Sequence, residues 1–121
     1  MRWVWLSSLA AAALAASPAA AADAQHGKQL FQACAACHGP AGKGGPLAPS
    51  LVGVVGRKAG SLDDFRYSPA MKRGAIVWDE ATVRADVANP QGEVKGNRMA
   101  FSGARNPRDA EDIVAHLKTL K

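Results

Sequence analysis

Cys34-Ala35-Ala36-Cys37-His38 is the stretch that decides how this chain is read. Its two cysteines are the only ones in 121 residues, and a histidine directly follows the second. C-x-x-C-H is the attachment signature of c-type haem. Two thiols three residues apart can add to the two vinyl groups on one haem edge. The next residue's imidazole is then held under the iron as an axial ligand. A thioredoxin-like dithiol shares the C-x-x-C spacing but needs βαβ units, and the sequence shows no strand pattern. A four-ligand zinc site needs more cysteine or histidine than His26 and His116 supply.

Upstream, Met1-Arg2 is a short basic start, and Trp3–Leu6, Leu9 and Ala10–Ala16 form an apolar stretch. Ser17-Pro18 breaks it, and small residues follow with A-x-A sites ending at Ala22 and Ala24. This order predicts a secretory signal over residues 1–22, cut after Ala22 or Ala24. It leaves residues 23–121 as one domain working in a periplasm. The stretch is short for a membrane span and is interrupted by Ser7-Ser8, so no stable membrane insertion is expected after cleavage.

From residue 23 onward only 25 apolar residues larger than alanine remain. That is a thin core, and chains of this size often lean on a disulfide, a metal or a cofactor. The same segment has 14 basic and 10 acidic residues. The excess favours an acidic partner. The basic residues are scattered and carry no nucleic-acid motif, so nucleic acid is not expected.

The segment reads as mostly α. Asp23 caps a helix that runs through Leu30, Phe31 and Cys34 to His38. Seven glycines and three prolines between Gly39 and Gly60 enforce a loop. Ser68-Pro69 starts a short helix that stops at Gly74. Asp79-Glu80 opens another that ends at Asn89 before Pro90. Gly92–Gly103 is again loop, and Asn106-Pro107 starts a final helix with Ile113, Val114, Leu117 and Leu120 on one stripe.

Met71, Met99, His26 and His116 are the candidates for a sixth iron ligand. A lone methionine serves as core filler as readily as ligand. His116 reads as a packed or surface residue, and His26 as solvated. Spacing and context favour Met99, which lies in a loop between Gly96 and Gly103. A thioether opposite an imidazole stabilises reduced iron and raises its potential.

The order and spacing of these residues resemble a class I cytochrome c over residues 26–120. The resemblance is carried by Gly27, Phe31, the haem motif, Pro49, the stretch Gly53–Gly60, Phe65, Tyr67-Ser68, Trp78, Asn89-Pro90 and Gly96-Asn97-Arg98-Met99, then Phe101 and Gly103. It implies an all-α cytochrome c fold: three main helices, short helices and long loops wrapped around one haem attached through Cys34 and Cys37. It implies His38 and Met99 as iron ligands and the Pro49 carbonyl as acceptor of the proximal imidazole N–H. Arg57, Tyr67 and Trp78 match positions that hydrogen-bond the haem propionates, and Phe101 belongs with the cofactor-binding residues. Taken alone, Arg57 is a loop charge, and Trp78 and Phe101 are core aromatics.

The implied function is a monomeric one-electron carrier in a respiratory chain, not an enzyme. Its partners would be oxidases, reductases or dehydrogenases with acidic docking surfaces. The alternatives are a dedicated electron-accepting subunit of one periplasmic dehydrogenase, or a peroxidase or small-ligand binder if Met99 is labile. Three positions depart from the family pattern: Asp86 stands where a tyrosine is usual, Met71 where an amide is common, and His116 where an aromatic is common. Asp86 shares a helix face with Val83 and Val87. It is either turned inward, with a raised pKa, or solvated beside Arg84 or Lys95.

Overall fold

The computed structural model describes residues 10–13 and 21–121. Most of the expected export segment, including the Ser17-Pro18 break, lies outside the described residues. No helix among the described residues is long and apolar enough to cross a membrane.

Helices begin where a side-chain oxygen meets the first free amides. The Asp23 carboxylate accepts from the N–H of Gln25 (3.0 Å) and of His26 (3.1 Å) and opens α1, Ala24–Leu30. The single helix expected from Asp23 to His38 is two. α1 and α2, Gln32–His38, meet at Phe31, which is 2% exposed. The N–H of Cys34 donates to the Phe31 carbonyl at 2.8 Å, and this three-residue bond tightens the chain at the joint.

α3, Pro69–Arg73, starts at Ser68, whose hydroxyl accepts from Met71 N–H at 3.1 Å. α4, Glu80–Ala88, starts with a reciprocal cap: the Asp79 carboxylate accepts from Thr82 N–H, and the Thr82 hydroxyl from Asp79 N–H. The loop expected from Gly92 begins only after Glu93. Asn89 Oδ1 accepts from Gly92 N–H and supports one more turn, α5, Pro90–Glu93. α6, Pro107–Leu117, is opened by Asn106 as expected.

The absence of strands is corrected. β1, Arg57–Lys58, pairs antiparallel with β2, Val77–Trp78, with Arg57 opposite Trp78 and Lys58 opposite Val77. Two residues per strand are too few to show a period of two. The ladder fastens the glycine-rich loop to the start of α4.

Two glycines fix where the site can form. At Gly27 a Cβ would overlap the Asp112 carbonyl, so only glycine lets α1 cross α6 this closely. At Gly44 φ is +80°, and a Cβ would overlap the backbone of Pro49 and Ser50. The loop therefore doubles back tightly, with Gly44 N–H on the His38 carbonyl (2.8 Å) and Leu51 N–H on the Gly42 carbonyl (2.7 Å). The core joins Phe31, Val54, Trp78, Val83, Ile113, Val114 and Leu117. Eleven hydrophobic residues are buried among the described residues, and three of them are alanine. So few large side chains leave little protein-only burial to stabilise the fold.

Candidate functional site

Cys34, Cys37 and His38 share α2. Residues three apart on a helix lie on one face, so both thiols point to one side. Cys37 is exposed and Cys34 half-buried, and both are free. Burial pushes the Cys34 thiol up. It therefore stays protonated near neutrality, unlike the activated thiolate of a dithiol oxidoreductase.

His38 is 8% exposed. Its Nδ1 lies 2.7 Å from the carbonyl of Pro49. A carbonyl only accepts, so this contact assigns the proton to Nδ1 and leaves the lone pair on Nε2. Burial holds the imidazole below its ordinary pKa, and the Arg57 charge adds to that. The residue is thus a neutral, oriented imidazole with one nitrogen available to a metal. Two free thiols on the same helix and a pinned, uncharged ligand fit a covalently held haem iron.

Arg57 is half-buried rather than a freely solvated loop charge, and its guanidinium donates to the Ser50 carbonyl at 2.5 Å. Pro49 serves His38, and Ser50 serves Arg57, so one turn positions both. Trp78 is buried at 8% in the core and holds its place through the strand ladder. Tyr67 packs edge-on to Phe65, and its hydroxyl accepts from Leu62 N–H at 3.4 Å. Phe101 is half-buried.

Met99 is half-buried in the loop after α5. Its N–H donates to Asn97 Oδ1 at 2.8 Å. Asn97 Nδ2 in turn donates to the carbonyls of Pro90 (2.9 Å) and Val94 (2.8 Å). Gln91 spans the same loop, donating to the Asn97 carbonyl and accepting from Gly96 N–H. Asn97 is 8% exposed. It is the organising residue of this loop, quoted in the sequence only as part of the resemblance and without a role. The available signal was an amide side chain two residues before the candidate ligand.

The remaining candidates sit elsewhere. His26 is not simply solvated: its Nδ1 lies 2.8 Å from the Asp112 carboxylate across the α1–α6 contact. His116 is packed, 7% exposed and 5.0 Å centre to centre from Phe31. Met71 packs against the core. For Asp86 the inward alternative holds. Its Oδ1 is out of solvent, with no hydrogen-bond partner among the described residues. Burial, and then the charge of Glu93, push its carboxyl up to about 7.

The profile of the family described as Cytochrome c matches residues 24–121. The chain belongs to the cytochrome c family. It is 45% identical over 112 residues to cytochrome c2 of Rhodomicrobium vannielii, covering 91% of this chain and 89% of that one. It is 40% identical over 100 residues to cytochrome c of Euglena viridis, covering 82% and 98%. Among solved structures it superposes on cytochrome cH from Methylobacterium extorquens with a TM-score of 0.74 and 41% identity, over 80% of this chain and 98% of that one. It is thus a class I mono-haem cytochrome c: an electron carrier with covalently attached haem c, not an enzyme.

Proposed function

We propose that His38 and Met99 are the two axial ligands of the haem iron and that the protein works as a carrier in a periplasm. The buried His38 imidazole, fixed by Pro49 with Nε2 free, is the observation that carries this reading. Bound haem would supply a single reversible Fe(III)/Fe(II) couple. Cys34 and Cys37 would hold its edge, and Arg57, Tyr67, Trp78 and Phe101 would contact the ring or its propionates. The N-terminal segment would direct export and then be removed by a cut after Ala22 or Ala24.

Exposed basic residues surround the two ligand segments. Lys43 follows the haem-motif helix, Lys95 and Arg98 precede Met99, and Lys72 and Arg73 end α3. A Cβ at Gly96 would touch Ala70, so α3 lies against the Met99 loop. These charges form a surface suited to acidic redox partners, which it would steer in brief, salt-sensitive encounters.

Carbon monoxide tests the ligand assignment. With both axial positions filled by protein, the reduced holoprotein should bind no carbon monoxide at neutral pH. Ready binding would replace the carrier reading of this site with a ligand-binding one.

A further inference from the structure

Asp112 holds the start of α1 with a carboxylate that the haem site does not use. It is 2% exposed. Its Oδ1 accepts from the backbone N–H of Asp23 at 2.7 Å and lies 3.5 Å from Arg108 Nε. Its Oδ2 lies 2.8 Å from His26 Nδ1. The Asp23 bond first, and then His26, hold the Asp112 carboxyl below the usual carboxylate range. A buried, ionised carboxylate therefore points at one backbone nitrogen, and that nitrogen belongs to the residue after Ala22.

We propose that the export cut falls between Ala22 and Asp23, and that the α-ammonium group it creates forms an ion pair with buried Asp112. The inference rests on the export reading of residues 1–22. An export peptidase would add water across the Ala22–Asp23 bond. The water oxygen goes to the Ala22 carboxylate and both hydrogens go to the Asp23 nitrogen. A neutral N–H donor becomes a charged one in the same place, and charge-assisted hydrogen bonds are about twice as strong as neutral ones.

The surroundings select this cut over the one after Ala24. A positive group at a helix N-terminus faces the positive end of the helix dipole and is unfavourable there without a counter-charge. Asp112 supplies that charge from α6, and the Asp23 side chain supplies a second while capping α1. Cutting after Ala24 would remove Asp23, and with it both the cap and the Asp112 bond. The other charged groups around the pair are His26 on α1, Arg108, Asp109 and the Arg108-paired Glu111 on α6, and Glu80 and Arg84 on α4 with Lys118 after α6, which line the hollow at Ala22. Arg108 also donates to the Ala21 carbonyl, an acceptor that would leave with the signal. Close approach of the two helices at Gly27 holds the carboxylate in place.

Intact mass of the exported holoprotein gives the first test, with Asp23 as the expected first residue. A start at Gln25 would overturn this inference and leave the export reading standing; a chain keeping residues 1–22 would overturn both. The second test compares holoprotein starting at Asp23 with holoprotein keeping Ala22, each made behind a leader of defined cut. The Asp23 form should melt about 5 °C higher at pH 7. Ion pairing raises the α-amino pKa, so the gap should be full at lower pH and close as pH rises through that raised value. It should be absent when both forms carry Asp112→Asn. Equal melting, or a gap that survives Asp112→Asn, overturns the pair. Should that variant not fold, the α-amino pKa in the unsubstituted protein decides. It should lie above the ordinary value of about 7.7–8.0, and a value at or below it contradicts the inference.

Discussion

The two sides of the haem site are built differently. On the His38 side the polar groups beside the ligand are paired, and the buried atom left without a partner there among the described residues, His116 Nε2, lies back at the α1–α6 crossing. His38 Nδ1 has the Pro49 carbonyl and Arg57 has the Ser50 carbonyl; outside the haem site, Asp112 binds Asp23 and His26 across the α1–α6 crossing. On the Met99 side the candidate ligand hangs on a loop held by two side-chain amides, Asn97 and Gln91. Asp86 on the neighbouring helix has an oxygen out of solvent that is unpaired among the described residues. Paired groups around a ligand fix its geometry, while an unpaired buried carboxyl makes local energy depend on pH. The first side is a support. The second is where the properties of the carrier are open to tuning.

The largest break in this contrast comes from removing the cofactor, because both sides pack around it. Cys34→Ala/Cys37→Ala protein made without haem should show little helix by circular dichroism, since the eight buried hydrophobic residues larger than alanine among the described residues make a thin core. A cooperative thermal transition in that protein would contradict this. Next comes the support side alone. Gly27→Ala would place a methyl on the Asp112 carbonyl and should cost about 3 kcal/mol in denaturant unfolding of the holoprotein, with its visible spectrum unchanged.

On the other side, Asn97→Ala removes the partner of Met99 N–H and the donor to two carbonyls. It should cost about 2 kcal/mol. Unlike Gly27→Ala, it should also lower the temperature at which the thioether-to-iron absorption band is lost. Equal persistence of that band in the two variants would erase the distinction between the sides.

The smallest effect has the opposite sign. The Asp86 carboxyl is raised from 3.8 to about 7. The native state then binds a proton that the unfolded state has lost, so stability falls as pH rises across that window. Asp86→Asn should flatten the fall and gain about 1 kcal/mol at pH 8, because the buried amide remains unpaired. The ionised carboxylate also favours Fe(III), so the midpoint potential should drop through the same window in the unsubstituted protein and not in the variant. Parallel potential curves would mean that this carboxyl does not sense the iron.

Much of the site was legible because it rests on local chemistry. The haem motif, the caps at Asp23, Ser68 and Asn106, the acidic helix start at Asp79-Glu80, and the position of Met99 are short-range signals. What escaped was set by distance or by small size. The Asp112 bonds span 86 and 89 residues. The β1–β2 ladder and α5 are too short for periodicity to register. The joint at Phe31 follows from where that ring is buried, which helix propensity does not encode. Asp86 carried a true local warning, an acid between Val83 and Val87, but only packing shows which way it turns.

Replacing each candidate methionine tests the central claim most directly. Spectra and midpoint potentials should be recorded for Met99→Ala and Met71→Ala holoprotein. If Met99 ligates the iron, Met99→Ala loses the thioether band, and its potential falls because thioether ligation favours the reduced state. Met71, packed in the core, should change neither. An intact band and unchanged potential in Met99→Ala would contradict the account.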